Sequence, residues 1–160
     1  MPKKHYLELS DDWDFQMVGI STALKDYRLA YYLNKTAGME LVRSEDLPTE
    51  IPELDKACYF SFYCWNEPGT ENFFYLISNR TADIFLLSDQ KQADFFLVIK
   101  GGFSNESITR IIKTIRQIPN VVTAFKINTL SDKKINTFLS EMELHTVKIG
   151  KSNKQTRNLL

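Results

Sequence analysis

Residues 95–127 read FFLVIKGGFSNESITRIIKTIRQIPNVVTAFKI, and the fold class follows from how this stretch divides. Phe95 to Ile99 is an unbroken apolar run, short enough for a strand buried on both faces. After Lys100-Gly101-Gly102 the period changes. Ile108, Ile111, Ile112, Ile115 and Ile118 fall at i, i+3, i+4 and i+7, one stripe of a helix that Ser104 or Asn105 can cap and Pro119 must stop. Burying five isoleucines contributes roughly 2 kcal/mol each before entropy is subtracted, so this helix anchors the core. Val121 to Ile127 then returns to strand character. Strand, helix, strand is the β-α-β unit of ferredoxin-like domains.

Working toward the N-terminus, Ala57 to Trp65, the turn Asn66 to Thr70 and Phe73 to Ile77 form a β-hairpin signal. Alternation gives its first strand an apolar face, Cys58, Phe60, Phe62 and Cys64. The opposite face, Tyr59, Ser61, Tyr63 and Trp65, is amphipathic. Ile84 to Leu87 reads as a further strand. Such strands want cover on both faces, and the predicted helices are few, so a partner or a second copy is expected to supply part of it. Earlier still, His5 to Leu9 and Phe15 to Ile20 are strand candidates. Leu24, Tyr27, Ala30 and Tyr31 then fall at helical spacing, with Ser21 or Thr22 as the expected cap and Gly38 as the left-handed stop. Met39 to Val42 reads as a short strand. Arg43 to Lys56, punctuated by Pro48 and Pro52, reads as a loop.

Toward the C-terminus, a short helix is expected from Ser131 with Ile135, Phe138, Leu139 and Met142 as its apolar stripe. From Gly150 onward Lys151, Lys154 and Arg157 meet no acid, and a flexible basic tail over 150–160 is expected. The reading is one α+β domain over 1–149. It has a mainly antiparallel sheet of five to seven strands covered by two or three helices, with the ferredoxin-like unit in its C-terminal half.

Composition supports an ordinary folded domain: 160 residues, 43% apolar and 25% charged. No run approaches a membrane span and Met1 to Asp14 has no apolar leader core, so a cytoplasmic location is expected. Cys58 and Cys64 lie in one strand, with Cα atoms roughly 20 Å apart, too far for a disulfide, so both are expected as free thiols. Net charge is zero, but residues 1–90 hold 8 Lys/Arg against 15 Asp/Glu, and residues 91–160 hold 12 against 5. That split would make the molecule dipolar.

Candidate chemistry is sparse. The two histidines, His5 and His145, sit in segments that need not meet, and no cofactor, metal site or catalytic residue is expected. Asp11, Asp12 and Asp14, like Glu50, Glu53 and Asp55, fit turn chemistry and solubility better than a cation site. Gly101, Gly102 and Ser104 stand between a strand and a helix N-terminus, where backbone N–H groups suit a phosphate, although P-loop spacing is absent. Arg110, Lys113 and Arg116 lie on the outward face of the isoleucine helix, followed by Lys126, Lys148 and the tail. Basic side chains beside exposed tyrosines would suit nucleic acid. Tyr59, Tyr63 and Trp65 form either an interaction surface or a floor for the first helix.

Three segments also resemble a known family of small bacterial proteins, the IPExxVDY proteins. They are Gly19-Ile20 leading into Lys25-Asp26-Tyr27-Arg28-Leu29 and Leu33-Asn34; Gln90-Lys91-Gln92-Ala93-Asp94-Phe95-Phe96; and Ile115-Arg116-Gln117-Ile118-Pro119. Within the naming motif Ser88-Asp89-Gln90 replaces Ile-Pro-Glu, Ala93 replaces Val, Phe95 replaces Tyr, and Asp94 is kept. The resemblance implies a bacterial cytosolic protein without assigned activity and carries over no catalytic residues. The function expected from the residues is a binding or regulatory module acting through protein–protein contact or self-association. RNA binding through the basic C-terminal half and phosphate-ligand binding at Gly101-Gly102 are the alternatives.

Overall fold

The isoleucine stripe of residues 108–118 does lie against a sheet, and the strand on either side of it belongs to that sheet. The computed structural model describes residues 15–51, 54–129 and 132–159, with side chains as far as residue 150. In chain order the elements are β1 (Phe15–Thr22), α1 (Asp26–Ala37), β2 (Val42–Ile51), β3 (Lys56–Asn66), β4 (Phe73–Ser78), β5 (Arg80–Thr81), β6 (Ile84–Phe85), β7 (Phe95–Lys100), α2 (Asn105–Arg116), β8 (Val121–Ile127) and α3 (Lys133–Leu159). Six strands form one sheet in the order β2-β3-β4-β7-β1-β8. Every neighbouring pair in it is antiparallel.

Because β7 and β8 both run antiparallel to β1, they are parallel to each other with β1 inserted between them. Helix α2 makes the crossover. This is the β-α-β unit read from residues 95–127, and the structure shows it split by β1. Strands β1 and β4 stand in the same relation across β7. The result is an α+β fold with an antiparallel sheet. Its order sets β2, β3 and β4, from the acidic part of the chain, at one side of the sheet, and β7 and β8, from the basic part, toward the other.

The sheet is covered on both faces by the chain's own helices. On one face Val18, Ile20, Leu76, Leu97 and Ile99 pack with Leu29 and Leu33 of α1 and Ile108, Ile112 and Ile115 of α2. On the other, Met17, Phe60, Phe62, Phe96 and Val98 pack with Ile135, Phe138, Leu139 and Met142 of α3. The expectation that the strands would lack cover is therefore corrected. The reason is that the stripe of α3 covers one whole face while α1 and α2 together cover the other; α3 also runs for 27 residues, past Gly150. At 1.5 Å per residue it spans roughly 40 Å, longer than any strand it crosses. Lys100 Nζ fixes it to the sheet through Glu143, at 3.1 Å from Oε1.

Other elements differ from the sequence reading for local reasons. Helix α1 begins at Asp26, and its N-cap is Lys25, without a side-chain cap. Ser21 and Thr22 remain in β1, where the Thr22 amide donates to Asp94 Oδ2 at 2.9 Å. Gly38 does close α1, at φ 71°, and Ser104 does cap α2, accepting from the Ser107 amide. The segment read as a loop is β2, an edge strand paired with β3 along its length. Pro48 is tolerated because an edge strand has one side free of ladder bonds, and a register shift between Ser44 and Leu47 bends the strand there. Ile84 to Leu87 does not join the main sheet. Ile84 and Phe85 pair with Arg80 and Thr81 in a separate two-stranded ribbon. Cys58 and Cys64 are free. The strand candidate His5 to Leu9 and the carboxylates Asp11, Asp12 and Asp14 lie outside the described residues.

Of the described strands, β8 is the other edge. Its Ala124 carbonyl accepts from Arg116 Nε at 2.9 Å, and Val122 on it is exposed. In the neighbouring β1, Gly19 leaves room for the Phe125 ring, which would lie 2.7 Å from a Cβ at that position.

Candidate functional site

One polar residue organises the excursion from β4 to β7. Asn79 is fully buried. Its Nδ2 donates to the carbonyls of Gln90 (2.9 Å) and Ala93 (2.8 Å), and its Oδ1 accepts from the Leu87 amide at 2.8 Å. The Asn79 backbone adds bonds to Asp94 and Leu86. Residues 80–94 are thereby held as a folded arm, and Asp94 is placed to take both the Thr22 amide and Arg80 Nη2. Asp94 thus ties β1 to the arm.

That arm forms one wall of an open cleft of about 670 Å³. The second wall is the end of β2, Thr49 to Ile51, and the third is the first turns of α3, from Lys133 to Glu141. Ile51, Leu54, Ile84, Leu86 and Phe138 make the lining mainly apolar. The polar groups are few. Thr49 Oγ1 is enclosed and has no hydrogen-bond partner among the described residues. Lys134 is paired with Asp89 at 3.1 Å. Glu50 and Glu141 enter none of the ion pairs among the described residues. Burial pushes the Glu141 carboxyl above its ordinary pKa, since an apolar wall disfavours the charged form and no cation compensates it. The N-terminal amides of α3 are already occupied, those of Lys134 and Ile135 bonding to Asp132 Oδ1. The cleft therefore presents an apolar floor with two carboxylates, Glu50 and Glu141, and one ammonium, Lys133, none of which enters an ion pair among the described residues. The excess of negative charge over an apolar floor suits an apolar body carrying a positive charge.

The residues singled out from sequence are not gathered into one site. Tyr63 belongs to the core, with only 5% of its surface exposed. Its hydroxyl donates to Asp26 Oδ2 at 3.0 Å, an oxygen that also takes Arg43 Nη1. Burial, then the Asp26 hydrogen bond, raise its pKa. Trp65 is half-buried and stacked on Phe74, ring centroids 5.2 Å apart. Tyr59 alone of the three is open, 59% exposed. The aromatic face of β3 is thus mostly a floor for α1. At the other strand-to-helix junction, Gly101 takes φ 144° and a Cβ there would run into Asn72. Gly102 is open, while the Ser104 hydroxyl is engaged with Ser107. The turn geometry accounts for Gly101 and the cap for Ser104, while nothing in the structure requires glycine at 102.

Arg110 and Lys113 are exposed on α2, as expected. Arg116 is partly committed to the Ala124 carbonyl. His145 lies on α3 with Nε2 2.8 Å from the Glu45 carbonyl and its ring edge-on to Phe62, a packing position. Among the described residues no group of three or more His, Cys, Asp or Glu could hold a metal ion. No helix among them is long and apolar enough to cross a membrane.

Sequence reasoning missed the cleft and Asn79. The cleft joins residues 49–54, 84–88 and 133–141, and no local pattern links the three. Asn79 stood just after a clear strand, and a polar residue followed by a long return before the next strand was the available signal. No known protein family, curated protein or solved structure matches the chain.

Proposed function

We propose that this chain is a binding or regulatory module that acts through contact with a protein partner. It receives in the cleft an extended segment bearing apolar side chains and a lysine or arginine. The supporting observation is the apolar floor between Glu50 and Glu141, two carboxylates without a cation partner among the described residues. Apolar side chains provide the affinity, and the basic residue fixes orientation by pairing with Glu50 or Glu141. Kinship with the IPExxVDY proteins belongs to the same proposal, supported by Asp94 and the three matching segments, and it adds no activity.

Titrating short apolar peptides, with and without one lysine, into isotopically labelled protein tests this. Amide shifts are expected at Ile51, Leu86 and Phe138, and larger ones for the lysine peptides. Glu141→Lys should reverse the preference toward peptides carrying an aspartate. Peptides that shift no cleft amide at millimolar concentration, or a Glu141→Lys variant with unchanged preference, would sink the reading.

A further inference from the structure

The two helices on the face opposite α3 make a surface that neither shows alone. Helices α1 and α2 pack side by side over one face of the sheet, so their outward sides are continuous. On α1, Tyr27 and Tyr31 are 59% and 55% exposed. They stand one helical turn apart, roughly 6 Å along the axis, on the same side. Lys35 Nζ lies 5.8 Å from the Tyr31 ring centroid. Arg28 is exposed beside them, and Arg110 and Lys113 are exposed on α2.

None of Lys25, Arg28, Lys35, Arg110 and Lys113 enters an ion pair among the described residues. The acids near them are few. Asp26 is held by Arg43 and Tyr63, leaving Glu106 in the first turn of α2 and Glu40 beyond Gly38 as the open ones. The chain's net charge is zero; of the β2 acids, Asp46 is neutralised by the same Arg43 that holds Asp26, and Glu45 and Glu50 belong to the edge strand at the far side of the sheet from β8.

We infer that the α1–α2 face binds single-stranded nucleic acid. Free cations track a phosphate backbone, while open tyrosine rings offer platforms on which unpaired bases stack. An acidic polypeptide would use the cations and leave the rings idle. A duplex would contact the same cations with its bases hidden. Two exposed rings among five unpaired cations favour a single strand over both.

Fluorescence anisotropy with labelled oligo(U) and oligo(dT) of ~20 nucleotides, and with a duplex, decides the matter. Five phosphate contacts predict about 100-fold weakening between 50 and 200 mM salt, and Arg110→Ala with Lys113→Ala should lower the logarithmic slope by about 1.4. Replacing Tyr27 and Tyr31 with Ala should weaken single-strand binding about tenfold or more at an unchanged slope, and Phe at both positions should restore it. Tighter binding of oligo(U) than oligo(dT), or the reverse, assigns RNA or DNA within the same inference. No binding at 50 mM salt overturns it. So does binding as tight to the duplex as to the single strands, or binding that the paired alanines leave unchanged. Circular dichroism of each variant confirms that α1 and α2 persist, and since all four substituted side chains are exposed, the fold should not change.

Discussion

Replacing Asn79 with alanine tests whether one buried amide holds the arm that walls the cleft. The substitution removes three hydrogen bonds of 2.8–2.9 Å. Their partners fare differently. The Gln90 carbonyl keeps the Ala93 amide at 3.0 Å, whereas the Leu87 amide and the Ala93 carbonyl lose the side chain that served them. Each buried group left unpaired costs about 1–3 kcal/mol, so the expected loss is about 2–6 kcal/mol. Set against a domain stability of about 5–15 kcal/mol, that is a large fraction. Urea denaturation should show the midpoint falling with the slope unchanged, and hydrogen exchange should speed at the Leu87 amide before the sheet amides respond. Asn79→Asp should be at least as damaging at neutral pH, because it keeps the acceptor for Leu87 but turns an oxygen toward two carbonyls. Part of its loss should return in acid, where the protonated carboxyl can donate once. A loss below about 1 kcal/mol for the alanine variant, with Leu87 still protected, would refute the assignment of Asn79 as the organising residue.

Ser104→Ala removes the cap of α2 and should cost about 1 kcal/mol by thermal melting, while Gly101→Ala should cost at least as much, since φ there is 144° and the added methyl meets Asn72. In alkali, burial raises the pKa of Tyr63 and, further, of Tyr75. The unfolded phenols ionise first, so their contribution to stability is intact below the ordinary tyrosine pKa of about 10 and is lost as pH climbs above it. Ultraviolet titration should show both phenolates forming late and together with unfolding, and Tyr63→Phe should lessen the alkaline loss.

The fold was legible wherever one period governed a segment. The isoleucines of α2, the alternation of β3 and the short runs of β4 and β7 each carry their own periodicity, and all stand where they were expected. Strand β2 was not legible. Its acids and Pro48 are what an edge strand displays on its open side, and in sequence they look like a loop. The length of α3 was hidden by Gly150 and by the basic, weakly apolar composition beyond it. Tyr63 and Trp65 could not be divided from Tyr59 by alternation, because all three share a face. What separates them is the course of α1 across that face, and the capture of the Tyr63 hydroxyl by Asp26.

The borders of the sheet are guarded unequally. At β2, a proline, a register shift and acidic side chains leave an incoming strand little to zip onto. At β8 the sequence VVTAFKI has neither proline nor glycine, and among the described residues its protection comes from Arg116 lying on the Ala124 carbonyl and the single charge of Lys126. Withdrawing Arg116 would free the Ala124 carbonyl on a strand rich in Val, Thr, Phe and Ile. Strand-to-strand association of a damaged chain is expected first at that border.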